Sequence, residues 1–274
     1  MPLRIFAGGE RHSAPIGVCM EIYMRVMPFV LSFVIGLCIG SFLNVIIYRL
    51  PRRSFLSSSR SRCPACSHTL APWELVPVLS WLFLRGKCRR CGVSISVRYP
   101  ITELAAGLIA IACWMRFGVD PMLIISFGVS AILLAIALID HDTMTIPDSL
   151  IISLVPFAIA SVWAADITVT ARLIGFFAVS IPLLAISLIK KDAFGGGDIK
   201  LTALCGFLLG WQNMFLAFFI SLLLGGGLAV ILLGSGRSKA GTHMAFGPFL
   251  CIGIAAALFF GKEIVGIYVD TFFI

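Results

Sequence analysis

The sequence predicts an all-α polytopic membrane protein of about eight transmembrane helices, carrying one small cytoplasmic zinc-binding insertion. Three observations lead there. Hydrophobic residues fill 59% of 274 positions, charged residues only 12%, and the mean hydropathy is +1.04. A soluble domain carries about 45–50% apolar residues and ~25% charge. The apolar segments recur along the whole chain, so one signal peptide does not account for them. Four cysteines then stand in two C-x2-C pairs inside a basic interruption.

The elements follow in order. Residues 1–25 mix Gly, Pro and Arg and are read as an N-terminal extension on the extracytoplasmic side, with Met20, Met24 and Met27 as alternative starts. Apolar segments lie near 26–48, 101–117, 122–140, 149–165, 171–189, 201–211, 214–233 and 244–261. A bilayer core needs roughly 20 apolar residues, with about 17–25 tolerated. Most segments fit, and 201–211 is too short unless its flanks join it.

Lys and Arg collect on the cytoplasmic side of membrane proteins. Ten of the 21 Lys and Arg lie in 49–98, against one acid, Glu74. That loop is therefore assigned to the cytoplasm. Alternation puts 140–148 and 190–200 on the same side, in agreement with Lys190, Lys191 and Lys200. The loop "GSGRSKAGTH", with Arg237 and Lys239, also returns there if 201–211 crosses. The resulting partition is a first transmembrane helix at 26–48, a cytoplasmic four-cysteine loop domain at 49–100, a transmembrane core at 101–262 and a tail at 263–274.

In the insertion, "CPAC" and "CRRC" supply Cys63, Cys66, Cys88 and Cys91, with 21 residues between the pairs. Each C-x2-C forms one chelating knuckle, and four thiolates suit tetrahedral Zn²⁺. So short an insertion hardly folds on its own core, and metal binding supplies the missing energy. Four protein ligands leave no open position, so the zinc is structural. Disulfides compete with this reading, but a cytoplasmic loop is reduced. His68 is read as a surface residue rather than a ligand. Cys19, Cys38, Cys113, Cys205 and Cys251 lie mostly on apolar spans and are read as small buried residues. The loop arginines are read as fixing topology, with anionic lipid head groups or nucleic acid as the alternative partners. Nothing else points to nucleic acid.

Two acids stand out. Asp140 directly follows "ILLAIALI", at a helix C-terminal end that disfavours negative charge. Asp198 follows "GGG" at the head of another apolar run. Ionisable residues at membrane depth default to function. Both fall at cytoplasmic helix ends, so they can meet. Two carboxyls a few ångströms apart share one proton. One then takes a proton from water while the other polarises a scissile carbonyl. Gly195, Gly196 and Gly197 let backbone approach closely. Asp148, after Pro147, reads as a helix N-cap, and Asp142 as a solvated loop charge.

Several stretches occur together in register: "GSFLNVIIYRLP" (40–51), the two C-x2-C pairs, "RYPITELAAG" (98–107), "IDHDTMTIPD" (139–148), "GGGDIK" (195–200) and "MAFGPFL" (244–250). Over about 26–261 the chain resembles the type IV prepilin peptidases, the prepilin leader peptidase/N-methyltransferases. The resemblance implies cleavage of the basic leader of type IV prepilins and type II secretion pseudopilins, on the cytoplasmic side of the bacterial inner membrane. It implies methylation of the new N-terminus with S-adenosylmethionine. It places the catalytic pair at Asp140 and Asp198 and matches Lys200 to the motif's lysine; Lys200 is read as tuning Asp198 electrostatically, with a surface topogenic charge as the alternative. It makes the cysteine tetrad a mark of the two-activity members.

No Gly-rich Rossmann turn is present to hold a methyl donor. Its site is expected from the loop 40–98 and helix ends, with Asn44, Arg49 and Glu103 as candidates. Glu103 has the alternative role of capping the helix begun after Pro100. Three rival readings stand against the peptidase. They are a proton- or ion-coupled transporter, a presenilin-type protease and a non-catalytic pilus assembly protein. A transporter predicts inverted repeats and midplane acids, and no repeat is visible. A presenilin-type protease has no reason for the cysteine loop.

Overall fold

The computed structural model describes residues 16–52, 61–63, 65–190, 194–235 and 244–272. Among them the helices are α1 (Ile16–Arg49), α2 (Leu79–Phe83), α3 (Arg98–Phe117), α4 (Pro121–Thr143), α5 (Asp148–Ala164), α6 (Val169–Ala178), α7 (Ser180–Ile189), α8 (Gly196–Leu209), α9 (Trp211–Gly234) and α10 (Gly247–Phe272). A single 3-10 turn, Pro72–Leu75, precedes α2. The described residues contain isolated bridges but no named strand. Lys191, Arg237 and Lys239 lie outside the described residues, as does the Cys19 side chain.

Each expected apolar segment is helical, and among the described residues six helical stretches are long and apolar enough to cross a membrane. The span Val169–Ile189 is one of them, formed by α6 and α7 together. It breaks at Val179 because the Pro182 ring opposes the carbonyl four residues back. The two shorter units are α5, with 17 residues, and α8, with 14. At 1.5 Å per residue α8 reaches about 21 Å, against a hydrocarbon core of about 30 Å. It is nevertheless enclosed, packing on α5, α6, α7, α9 and α10. Leu201, Thr202, Cys205 and Leu208 are all buried. Protein rather than lipid surrounds it, and the chain turns into α9 at Gly210, whose φ is 77°. Helix α1 already begins at Ile16 and α10 continues to Phe272. Residues 16–25 of the expected extension and 263–272 of the expected tail therefore continue these two helices.

Helices α1 and α3 pack closely through small residues. A Cβ on Gly36 would fall 2.6 Å from the Ala106 carbonyl oxygen, and one on Gly40 2.7 Å from the Glu103 Cα. This small-xxx-small spacing lets two backbones touch where lipid offers no hydrophobic drive. The apolar core lies elsewhere, with Ile136, Ile139, Leu154, Leu183, Leu201 and Ile254 essentially inaccessible.

Polar ties gather the ends of five helices at one end of the bundle. Asn44 Nδ2 on α1 donates to the Tyr99 carbonyl of α3 at 3.1 Å. Arg98 on α3 pairs with Asp142 on α4, and Lys200 on α8 with Asp148 on α5. At the opposite ends of α5 and α8 sits Arg172, completely buried. It donates to the Ser161 hydroxyl at 2.8 Å and carbonyl at 2.7 Å, and to the Phe207 and Leu208 carbonyls at 3.2 and 3.3 Å. Helix C-termini leave carbonyls unpaired and carry partial negative charge. One guanidinium satisfies both ends and needs no acid.

Candidate active site and four-cysteine centre

Asp140 occupies the last turn of α4 and is 5% exposed. The unfavourable position at a helix C-terminus is offset by its neighbour. Its Oδ2 accepts the Gly247 N–H at 3.0 Å, and Gly247 is the first residue of α10. The carboxyl thus lies at the C-terminus of one helix and the N-terminus of another, where a carboxylate is stabilised. Gly247 belongs to "MAFGPFL", a stretch noted in the sequence only for its resemblance. A Cβ there would come within 2.5 Å of Asp140 Oδ2. Only glycine allows this contact.

Asp198 sits in the first turn of α8 and is 8% exposed. The favourable end of the helix dipole is here its own. The Gly195 backbone hydrogen-bonds to its carboxyl, and the two acids lie within electrostatic reach of each other. Its Oδ1 is buried without a hydrogen-bond partner. A buried polar atom left unpaired is costly, and it marks a place where a reactant group fits.

The three glycines before Asp198 differ in what they do. A Cβ on Gly197 would meet the Ile146 side chain at 2.7 Å, whereas one on Gly196 would meet nothing within 4 Å. Gly197 lets α8 close on the turn between α4 and α5. A Gly195 Cβ would stand 3.3 Å from Asp198 Oδ2.

The structure corrects the expectations for three flanking residues. Asp148 is not the N-cap of α5. Pro147 holds that position, and Asp148 is the first helical residue. Lys200 does not reach Asp198. Its Nζ binds both Asp148 oxygens, at 2.7 and 2.9 Å, because two residues along a helix are about half a turn and point it away from the Asp198 side. Asp142 is more than a solvated charge, since Arg98 ties it to α3.

In the insertion the four sulfurs of Cys63, Cys66, Cys88 and Cys91 lie within 4.8 Å of one another. Cys63 and Cys91 Sγ are 3.8 Å apart. A tetrahedron with metal–sulfur bonds of about 2.3 Å has an edge of about 3.8 Å. The two halves repeat one turn. Cys63 N–H donates to the His68 carbonyl at 2.9 Å, and Cys88 N–H to the Val93 carbonyl at 2.8 Å. The fourth residue after each first cysteine, Ser67 or Gly92, takes positive φ.

Backbone N–H groups of Cys66 and Ala65 lower the Cys63 thiol to about 6. Those of Cys91 and Arg90 lower Cys88. The Val93 N–H also lowers Cys91, but burial and the neighbouring thiols push it up to about 11. Four thiolates cannot stand together without a cation between them, so the donor set fits a divalent metal. His68 points instead to Glu74, 3.6 Å away.

The methyl-donor candidates are mostly engaged elsewhere. Asn44 ties α1 to α3. Glu103 accepts the Val78 N–H at 2.7 Å and a bond with Ser41, so it caps neither its own helix nor an open site. Arg49 ends α1. A cavity at this end is lined by Ile47, Pro51, Arg52, Asp142 and Thr143. Cys113, Cys205 and Cys251 are buried as expected, but Cys38 is exposed, because α1 packs through only part of its surface. Arg172 and Gly247 had escaped sequence reasoning. An arginine inside an apolar span was the one available signal.

The fold and site define a class, the multi-pass helical membrane proteins with a buried carboxyl pair at one bundle end and a four-thiol cluster in an insertion. Family comparison agrees with that frame. Residues 34–117 match the bacterial Peptidase A24 N-terminal domain and 127–230 the type IV leader peptidase family. The chain is 34% identical to the prepilin leader peptidase/N-methyltransferase of Burkholderia pseudomallei (strain 1026b), over 95% of each. It is 36% identical to the protein of that name from Bacillus subtilis (strain 168), over 86% of this chain and 96% of the relative. For that of Stutzerimonas stutzeri the identity is 35%, over 89% and 95%. No solved structure matches the chain. The chain belongs to the prepilin leader peptidase/N-methyltransferase family.

Proposed function

We propose that this protein cleaves the leader of type IV prepilins or pseudopilins at the cytoplasmic face of a bacterial inner membrane, through Asp140 and Asp198, and methylates the amine it frees. The observation that carries the reading is the pair of buried carboxyls, one with an unpaired oxygen, at the bundle end that gathers the basic residues. A substrate with a basic leader and an apolar helix would lie in the bilayer beside these spans. Its leader junction then meets the acids at the interface.

Asp140, which already accepts a backbone N–H, acts as the base and takes a proton from water. Asp198 carries the shared proton and donates it toward the scissile carbonyl through Oδ1. The water oxygen bonds to the carbonyl carbon, the peptide C–N bond breaks, and the departing nitrogen receives a proton from the pair. Gly197 and Gly195 hold the turn that presents Asp198.

Cys63, Cys66, Cys88 and Cys91 hold a structural Zn²⁺ that pins the insertion. S-adenosylmethionine, when bound, supplies an electrophilic methyl group for the freed amine. Arg52 and Asp142 offer a cation and an anion for it in the cavity between the ends of α1 and α4.

The testing experiment mixes purified full-length protein in detergent with a prepilin and S-adenosylmethionine, with mass spectrometry of the products. The expected result is a released leader and a product 14 Da heavier than the bare cleaved chain, one methyl group replacing one hydrogen, by about the stoichiometry of one per chain. An intact prepilin after incubation with well-folded protein would overturn the peptidase reading. Cleavage without added mass would overturn only the methylation.

The metal is tested separately. One zinc per chain is expected by elemental analysis, and Cys63→Ser is expected to lose it. Thiolates are the ligands, so protons compete with the metal and zinc content is expected to fall on acidification. Metal content unchanged in Cys63→Ser would sink the assignment.

A further inference from the structure

We propose that the four-cysteine insertion lies on the bilayer, with α2 seated at the headgroup–acyl boundary and phospholipid, anionic lipid foremost, as its occupant. The inference depends on the membrane-spanning fold and not on the peptidase reading.

Depth is the first observation. Val78, the residue before α2, donates its N–H to Glu103 Oε2 at 2.7 Å. Glu103 lies five residues inside the span Arg98–Phe117, about 7.5 Å along the helix axis from its start. Gly40, against which Glu103 packs, lies nine residues before the end of α1. The chain therefore enters α2 below the ends of the two spans that flank the insertion.

The second observation is the face α2 presents. Leu79, Leu82 and Phe83 stand at i, i+3 and i+4, on one side of the helix, and are 52%, 57% and 83% exposed. The opposite side is anchored inward. Trp81 donates its indole N–H to the Ile95 carbonyl at 3.1 Å, and its ring covers Gly86, where a Cβ would stand 2.8 Å away. The short helix is apolar at four of five positions and turns three of them outward, the reverse of a water-soluble subdomain and a pattern that suits a membrane interface.

Charge supplies the third. Exposed Arg85, Lys87, Arg89 and Arg90 follow α2 directly. Arg89 also covers the Trp73 ring, 4.6 Å from its centroid. The single acid of the insertion, Glu74, is buried. An apolar face rimmed by cations complements an anionic lipid surface. A hydrophobic protein segment would complement the apolar face without needing the basic rim.

The experiment places a photocrosslinker at the most exposed of these side chains, as Phe83→p-benzoylphenylalanine in the full-length protein. The protein is reconstituted in nanodiscs of mixed phosphatidylcholine and phosphatidylglycerol, and zinc content serves as the check on folding. After irradiation, mass spectrometry is expected to find lipid adducts, with phosphatidylglycerol at least twofold over its share in the disc. The triple variant Arg85→Ala/Lys87→Ala/Arg90→Ala is expected to lose that preference. Adducts confined to a second copy of the chain, to an added prepilin or to solvent would overturn the proposal. So would lipid adducts that follow the disc composition.

Discussion

Asp140→Asn and Asp198→Asn each lower kcat for prepilin cleavage by at least about a thousandfold, within the ~10²–10⁴-fold that a positioned acid–base group contributes. The substitution keeps the shape of the side chain and removes its ability to carry or exchange a proton. Each carboxyl has a distinct position, Asp140 on the Gly247 N–H and Asp198 with a bare Oδ1. Neither can stand in for the other, so both single variants fail and the double variant falls little further. Thermal stability should not drop in parallel. At Asp198 the change swaps a buried carboxyl whose Oδ1 has no hydrogen-bond partner for an amide of the same shape, so no paired contact is lost there. The check is single-turnover cleavage beside a melting curve in detergent. Activity within tenfold of wild type in either variant would move the catalytic role to Asp142 or Asp148.

The second large effect is expected at a residue that takes no part in proton transfer. Gly247→Ala lowers kcat by about a hundredfold, the loss that a displacement of about 1 Å produces in an oriented site. The added methyl would lie 2.5 Å from Asp140 Oδ2, so the carboxyl must leave its backbone N–H. Substrate KM and zinc content should stay near wild type, since neither depends on that contact. Gly266→Ala is the matched control. It lies on the same helix, meets nothing within 4 Å and should leave cleavage unchanged. Equal activity in the two variants would show that the Gly247–Asp140 contact does not position the acid.

Both effects depend on information of unequal legibility. Asp140 was visible in the sequence because a charge beside "ILLAIALI" has no cheap explanation. Gly247 was invisible, because its role is a contact across 107 residues. The same holds for Lys200. Its place two residues after Asp198 suggested an interaction with that acid. The helix instead turns the ammonium toward Asp148 on α5. Sequence proximity misled here, since residues i and i+2 on a helix do not share a face.

The short segment 201–211 shows the limit from the other side. Counting apolar residues left its status open, because length matters only where lipid is the surroundings. Enclosure by five helices makes a 14-residue helix acceptable, and a linear pattern carries no record of enclosure.

By itself the sequence determined the membrane class, the helical segments, the thiol tetrad and the two acids. Those follow from local composition and spacing, which hydropathy, helical period and ligand chemistry read directly. Tertiary structure alone decided which backbone N–H holds Asp140, where Lys200 and Asp142 find their partners, and how Arg172 closes two helix ends. It also decided that α2 turns its apolar face outward at the level of Glu103. Each of these depends on which helices become neighbours in space, and that is set by packing the whole chain at once.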